Sequence, residues 1–93
     1  MTDLDWHEYS VETQAIRAGH RRSHEGEHSV PIHMTSSYVF NSAEEAALRF
    51  TGEQPGNIYS RFTNPTVDSF QQRLALMEKG DRCLAFASGM AAI

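Results

Sequence analysis

The tract from Asn64 to Ile93 limits the folds open to this chain more than any other part of it. Asn64 followed by Pro65 is a helix start, an N-cap residue and then a proline whose fixed φ suits the first helical position. Val67, Phe70, Leu74 and Met77 recur at three- and four-residue spacing, so they form one stripe and predict a buried helix face. Lys79 complements the helix C-terminus and Gly80 is the expected stop. "CLAFA", residues 83–87, is then a short continuous apolar run, the pattern of a strand buried on both faces. A new helix begins near Gly89 or Met90. Helix, buried strand, tight turn and helix open an α/β domain with a largely parallel sheet. One strand is not a sheet, so the remaining strands are expected beyond Ile93. Without them the stripe of Val67, Phe70, Leu74 and Met77 lacks its natural cover, which predicts self-association of the isolated chain.

Upstream the apolar residues thin out. Residues 1–30 contain almost no apolar run, and a stretch that polar cannot build its own core. It is expected to be disordered or to rest on another surface. A short helix is predicted around Ser10 to Ala18, where Val11, Ala15 and Ala18 have helical spacing and Gly19 supplies an end. "MTSSYVF", residues 34–40, is β-branched and aromatic enough to be extended. Ser42 with Glu45 three residues later is a capping box, followed by an apolar face of Ala43, Ala46, Ala47 and Phe50 and a stop at Gly52. "GEQPGN" (52–57) is a turn-rich loop, and "IYSRF" (58–62) is extended by composition.

Several function classes drop out. A net charge of −4 and a pI near 5.6 do not provide the basic face that nucleic acid requires. No apolar run approaches the roughly 18 residues of a membrane span, and the acidic start "MTDLDWHEYS" lacks the features of a secretory signal. A cytoplasmic protein is expected. The single Cys83 has no internal disulfide partner and reads as a buried small hydrophobe. "HEGEH", His24 to His28, matches the H-E-x-x-H zinc pattern. Gly26 interrupts it, its flanks are polar and Pro31 follows, so a solvated loop is expected and no metal site.

Two places are suited to an anion. "ASGMAA", residues 87–92, leads into a helix N-terminus, where unpaired N–H groups point outward and the helix dipole favours negative charge. Gly89 has no Cβ to hold an anion off, and Ser88 adds a hydroxyl. In "YSR" an extended backbone would put Tyr59 and Arg61 on one face and Ser60 on the other. A phenol beside a guanidinium fork suits a phosphate. Ordinary tight packing, and a half-buried tyrosine beside a solvated arginine, stay open as the plainer readings.

"GNIYSRFTNPTVDSFQQRLALMEKG" followed by "FASGMAAI" resembles the pyridoxal-phosphate enzymes of cysteine and methionine metabolism. "IRAGHRRSHEGEH", "TSSYVF" and "RFTGEQPGN" are similar to the branch of that family acting on O-succinylhomoserine and sulfide. The resemblance runs from about Glu12 onward. It implies an α/β fold, an aspartate aminotransferase-like (type I) large domain preceded by an N-terminal arm. Residues 1–63 would be an arm crossing to another subunit and 64–93 the incomplete start of the cofactor domain. Tyr59 and Arg61 would hold the phosphate of a neighbouring subunit's pyridoxal 5'-phosphate, with Tyr59 also influencing proton movements. Gly89 and Met90 would offer backbone amides to the phosphate in their own subunit.

The activity so implied is γ-replacement in methionine biosynthesis, O-succinylhomoserine and sulfide giving homocysteine and succinate. The implied assembly is a homotetramer with shared active sites. Other members of the family use O-acetylhomoserine, make cystathionine, or are γ-lyases of methionine or cystathionine, and these stand as alternatives. The family's Schiff-base lysine, ring-stacking tyrosine, pyridine-pairing aspartate and substrate-carboxylate arginine all come farther downstream. Lys79 is the one lysine here, at a helix end. The chain is therefore expected to be an N-terminal fragment with no catalytic residue of its own, inactive alone.

Overall fold

A computed structural model describes residues 4–93, in which a 3-10 turn at Trp6–Glu8 is followed by four α-helices. The first three residues of the expected arm lie outside the described residues. Capping chemistry sets the helix bounds. α1 (Val11–Arg17) starts where Ser10 Oγ accepts the Thr13 N–H at 3.4 Å. α2 (Ala43–Phe50) starts where Ser42 Oγ accepts the Glu45 N–H at 3.0 Å. Glu45 reaches back one residue beyond the reciprocal box, to the Asn41 N–H at 2.6 Å. α3 covers Pro65–Met77, and α4 covers Gly89–Ala92 with Ser88 as its cap.

The end of α3 differs from the expected glycine stop. Lys79, not Gly80, takes the left-handed conformation, with φ 57°. The Lys79 N–H donates to the Leu76 carbonyl at 3.2 Å and the Gly80 N–H to the Ala75 carbonyl at 2.8 Å. This pair of bonds is the Schellman pattern, which satisfies carbonyls that a helix end otherwise leaves open.

The chain groups into two compact units, one made of residues up to Pro31 with Thr66–Ile93, the other of Ile32–Pro65. In the first, the two residues that follow α1 meet α3. Ala18 is fully buried, and its carbonyl accepts from Arg73 Nε at 2.7 Å. Gly19 has φ 80°, and a Cβ there would stand 2.5 Å from the Ser69 carbonyl oxygen. Only glycine allows this approach. Thr66 Oγ1 donates to the Pro31 carbonyl at 2.8 Å. At the other end of α1, the buried Gln14 amide donates to the Trp6 carbonyl at 2.7 Å and the Tyr9 carbonyl at 3.3 Å. Among the described residues the polar N-terminal stretch is thus held by side-chain bonds to backbone and by contacts of Ala18, Gly19 and Pro31 with α3, with Ala18 its one buried apolar residue.

The predicted strand at 83–87 is absent. Ser37 and Tyr59 form the one β-bridge among the described residues, while Leu84 is 70% and Phe86 54% exposed and Cys83 is half-buried. A strand buried on both faces takes its ladder bonds and its cover from neighbouring strands, and the described residues supply neither. The Ala85 N–H donates instead to Gln71 Oε1 at 2.9 Å. The α3 stripe is likewise open, with Val67 and Phe70 exposed and Leu74 and Met77 half-buried. The regular elements of the described chain are therefore helices, and α/β character is not visible in them.

Candidate functional site

In the second unit, "YSR" does not continue as the expected extended segment beyond Tyr59. Backbone bonds from the N–H groups of Phe62 and Thr63 to the Tyr59 carbonyl, at 2.9 and 3.1 Å, close a turn there. Tyr59 and Arg61 still come together. The Arg61 guanidinium carbon lies 5.4 Å from the centre of the Tyr59 ring and 5.7 Å from that of Phe62. Both residues are exposed. Among the described residues neither the Tyr59 hydroxyl nor the Arg61 guanidinium makes a hydrogen bond or ion pair.

Ser60, between them, turns the other way and anchors the turn. Its N–H donates to the Ser36 carbonyl at 2.8 Å. Its hydroxyl donates to the Thr35 carbonyl, accepts from Asn64 Nδ2 at 3.0 Å and lies 3.1 Å from the Tyr38 hydroxyl. Asn64, read from sequence only as a helix cap, is buried and also donates to the His33 carbonyl at 2.9 Å. Sequence reasoning missed this cluster because its members are distant in the chain; the signal within reach was the run of hydroxyl residues in "TSSY".

In the first unit, Gly89 and Met90 are the first two residues of α4. Ser88 Oγ accepts the Ala91 N–H at 3.2 Å, and the Ser88 carbonyl accepts the Ala92 N–H at 3.2 Å. Among the described residues the N–H groups of Gly89 and Met90 are left without a partner, as helix starts leave them. A Cβ on Gly89 would meet nothing within 4 Å. The backbone face there is open to a ligand.

"HEGEH" is a hydrogen-bonded loop. Glu27 accepts from the Ser23 hydroxyl at 2.6 Å and the Ser23 N–H at 2.9 Å, and its carboxylate lies 2.9 Å from His20 Nε2. The Ser23 hydroxyl and N–H, with smaller help from His20, hold the Glu27 carboxyl down from 4.5 to about 2. His24 pairs with Glu25 at 3.1 Å, out in solvent. Among the described residues no three His, Cys, Asp or Glu side chains gather as metal ligands.

Residues 12–93 match the family described as Cys/Met metabolism PLP-dependent enzyme. The chain is 53% identical over 91 residues to O-succinylhomoserine sulfhydrylase of Pseudomonas aeruginosa, covering 98% of this chain and 23% of that protein. It is 38% identical over 90 residues to an L-methionine gamma-lyase of Fusobacterium nucleatum, covering 97% of this chain and again 23% of the relative. It therefore spans less than a quarter of these relatives' length. A crystal structure from Campylobacter jejuni, described as an O-acetylhomoserine (thiol)-lyase and carrying N'-pyridoxyl-lysine-5'-monophosphate, superposes with a TM-score of 0.85 at 42% identity. That match covers 90% of this chain and 20% of the other. No helix among the described residues is long and apolar enough to cross a membrane.

Proposed function

This chain belongs to the Cys/Met metabolism PLP-dependent enzyme family, and from that premise we propose that it is the N-terminal part of an O-succinylhomoserine sulfhydrylase. The full-length polypeptide joins O-succinylhomoserine to sulfide and releases homocysteine and succinate. The likeness to the Pseudomonas enzyme along nearly the whole chain carries the choice of ester.

The residues present fit a cofactor phosphate. Arg61 carries a cation with no carboxylate neutralising it among the described residues, beside the Tyr59 phenol. Gly89 and Met90 offer two N–H groups, and the open face at Gly89 leaves an anion room to approach. All are donors, and a phosphate dianion accepts only. Pyridoxal phosphate, when bound, supplies the electron sink that γ-replacement requires. Arg61 and Tyr59 grip and orient the phosphate, and Gly89 and Met90 fix it from the backbone side. The Tyr59 hydroxyl is also placed to hold or pass a proton.

Residues 1–63 act as the arm that reaches a neighbouring subunit, so that Tyr59 and Arg61 serve the partner's cofactor. Residues 64–93 begin the α/β cofactor domain. The assembly is a cytoplasmic homotetramer. The 93 residues alone are inactive, because their one lysine, Lys79, closes the end of α3.

Homocysteine formation by the full-length protein tests the reading. With pyridoxal phosphate and sulfide, O-succinylhomoserine is expected to be used in preference to O-acetylhomoserine. Preference for the acetyl ester would move the chain to the sulfhydrylases that use it. Release of 2-oxobutanoate from methionine without added sulfide would make it a γ-lyase.

A further inference from the structure

We infer that Ser60, with Tyr38 and Asn64, is a positioning cluster that sets the Tyr59–Arg61 pair for the cofactor phosphate; this rests on the phosphate-binding reading above. The hydrogen-bond arithmetic at Ser60 is closed. A serine hydroxyl has one hydrogen and two acceptor lone pairs. The hydrogen goes to the Thr35 carbonyl. One lone pair takes an Asn64 Nδ2 hydrogen at 3.0 Å. Tyr38, 3.1 Å away, must then be the donor to the other. Its alternative acceptor, the Thr63 carbonyl, lies farther off at 3.5 Å. Every site on the hydroxyl is used, so its direction is fixed.

That saturation ties the turn down on both sides. Thr35, Ser36 and Tyr38 precede the turn by more than twenty residues, while Asn64 follows it directly. The Ser60 N–H to the Ser36 carbonyl and the bridge between Ser37 and Tyr59 add two backbone ties. With Ser60 held from below, its neighbours on either side have their side chains directed outward. Exposed side chains like Tyr59 and Arg61 would otherwise lose entropy on gripping an anion, and a fixed turn reduces that loss. None of the three cluster residues has to touch the ligand to do this.

The test uses the full-length protein and follows cofactor affinity through the visible absorbance of bound pyridoxal phosphate. Ser60→Ala, which removes all three bonds of the hydroxyl, is expected to weaken binding about tenfold. Ser60→Thr, which keeps the hydroxyl, is expected to restore it. Tyr38→Phe, which removes only the hydroxyl and keeps the ring, is expected to weaken binding in the same direction, and it stands in if Ser60→Ala does not fold. Arg61→Ala separates this proposal from the reading beneath it. If Arg61→Ala weakens binding while both Ser60→Ala and Tyr38→Phe bind as tightly as the parent, the positioning role is wrong and the phosphate site stands. If Arg61→Ala itself binds normally, the phosphate reading fails first. A fall in melting temperature with unchanged affinity assigns the cluster to stability alone and overturns the proposal.

Discussion

The Arg61 guanidinium lies over the Tyr59 ring, its central carbon 5.4 Å from the ring centre, although the backbone between them is a turn and not a strand. A planar guanidinium on an aromatic face is attracted to the ring's negative quadrupole, and its edge N–H donors stay free. The ring thus orients a cation that no carboxylate among the described residues holds. An exposed pair of this kind contributes little to stability, about 0.5–1 kcal/mol, so its value lies in what it is aimed at.

Arg61→Lys in the full-length protein is therefore expected to fold normally and to bind pyridoxal phosphate about tenfold more weakly. Lysine keeps the charge but loses the stacked plane and the paired donors. Cofactor titration checks this. Equal affinity for the two proteins would mean that charge alone matters at this position.

Gly89→Ala separates binding from stability. The added methyl meets nothing within 4 Å in the chain, so the melting temperature is expected to change little, within about 0.5 kcal/mol of stability. Cofactor affinity is expected to fall about tenfold, because the methyl stands where an anion would approach the backbone. Parallel melting curves and cofactor titrations distinguish the two effects.

Gly19→Ala should do the opposite. A Cβ at this position would sit 2.5 Å from the Ser69 carbonyl oxygen and 3.1 Å from the Arg73 nitrogen, at a φ of 80°. Left-handed strain together with the forced separation of α1 from α3 is expected to cost about 2 kcal/mol or more. Lys79→Gly, at the left-handed end of α3, is expected to gain about 1 kcal/mol by relieving the strain a side chain suffers there. Denaturation midpoints of the two variants should shift in opposite directions.

The helices were legible in the sequence because their signals are local. Ser42 reads as a cap and is one; Ser10 and Ser88, not read as caps, take the same role, which needs only their own next few residues. What the sequence could not settle depends on distant partners. "CLAFA" is a strand only when other strands flank it, and alone it is exposed coil. The end of α3 was misplaced by one residue, since Gly80 is the natural left-handed candidate and nothing local shows that Lys79 takes that role. At the candidate site Tyr59 and Arg61 were suggested by residue type and spacing, while the backbone N–H groups of Gly89 and Met90 were suggested by the strand-to-helix pattern and the family resemblance. The Ser60 cluster could not, because its contacts with Thr35, Ser36 and Tyr38 span a whole helix and loop.

Acid should act on this chain partly through Glu27. Its carboxyl is held at about 2 by the Ser23 hydroxyl and N–H, so the folded pKa lies below the unfolded one. The stability it contributes is fully present above about pH 4.5, and it is lost as the pH falls toward about 2. Glu27→Gln is expected to be less stable than the parent at pH 6, with the gap narrowing by pH 3. A gap that stays constant across this range would show that Glu27 does not carry the acid dependence.

The most direct measurement is a crystal structure of the full-length protein with pyridoxal phosphate bound. A phosphate is expected within about 3 Å of Arg61 and Tyr59 from one protomer, and of the backbone N–H groups of the partner subunit's Gly89 and the partner subunit's Met90. A phosphate that touches neither Arg61 nor Tyr59, or one reached by both donor groups of a single chain, would contradict it.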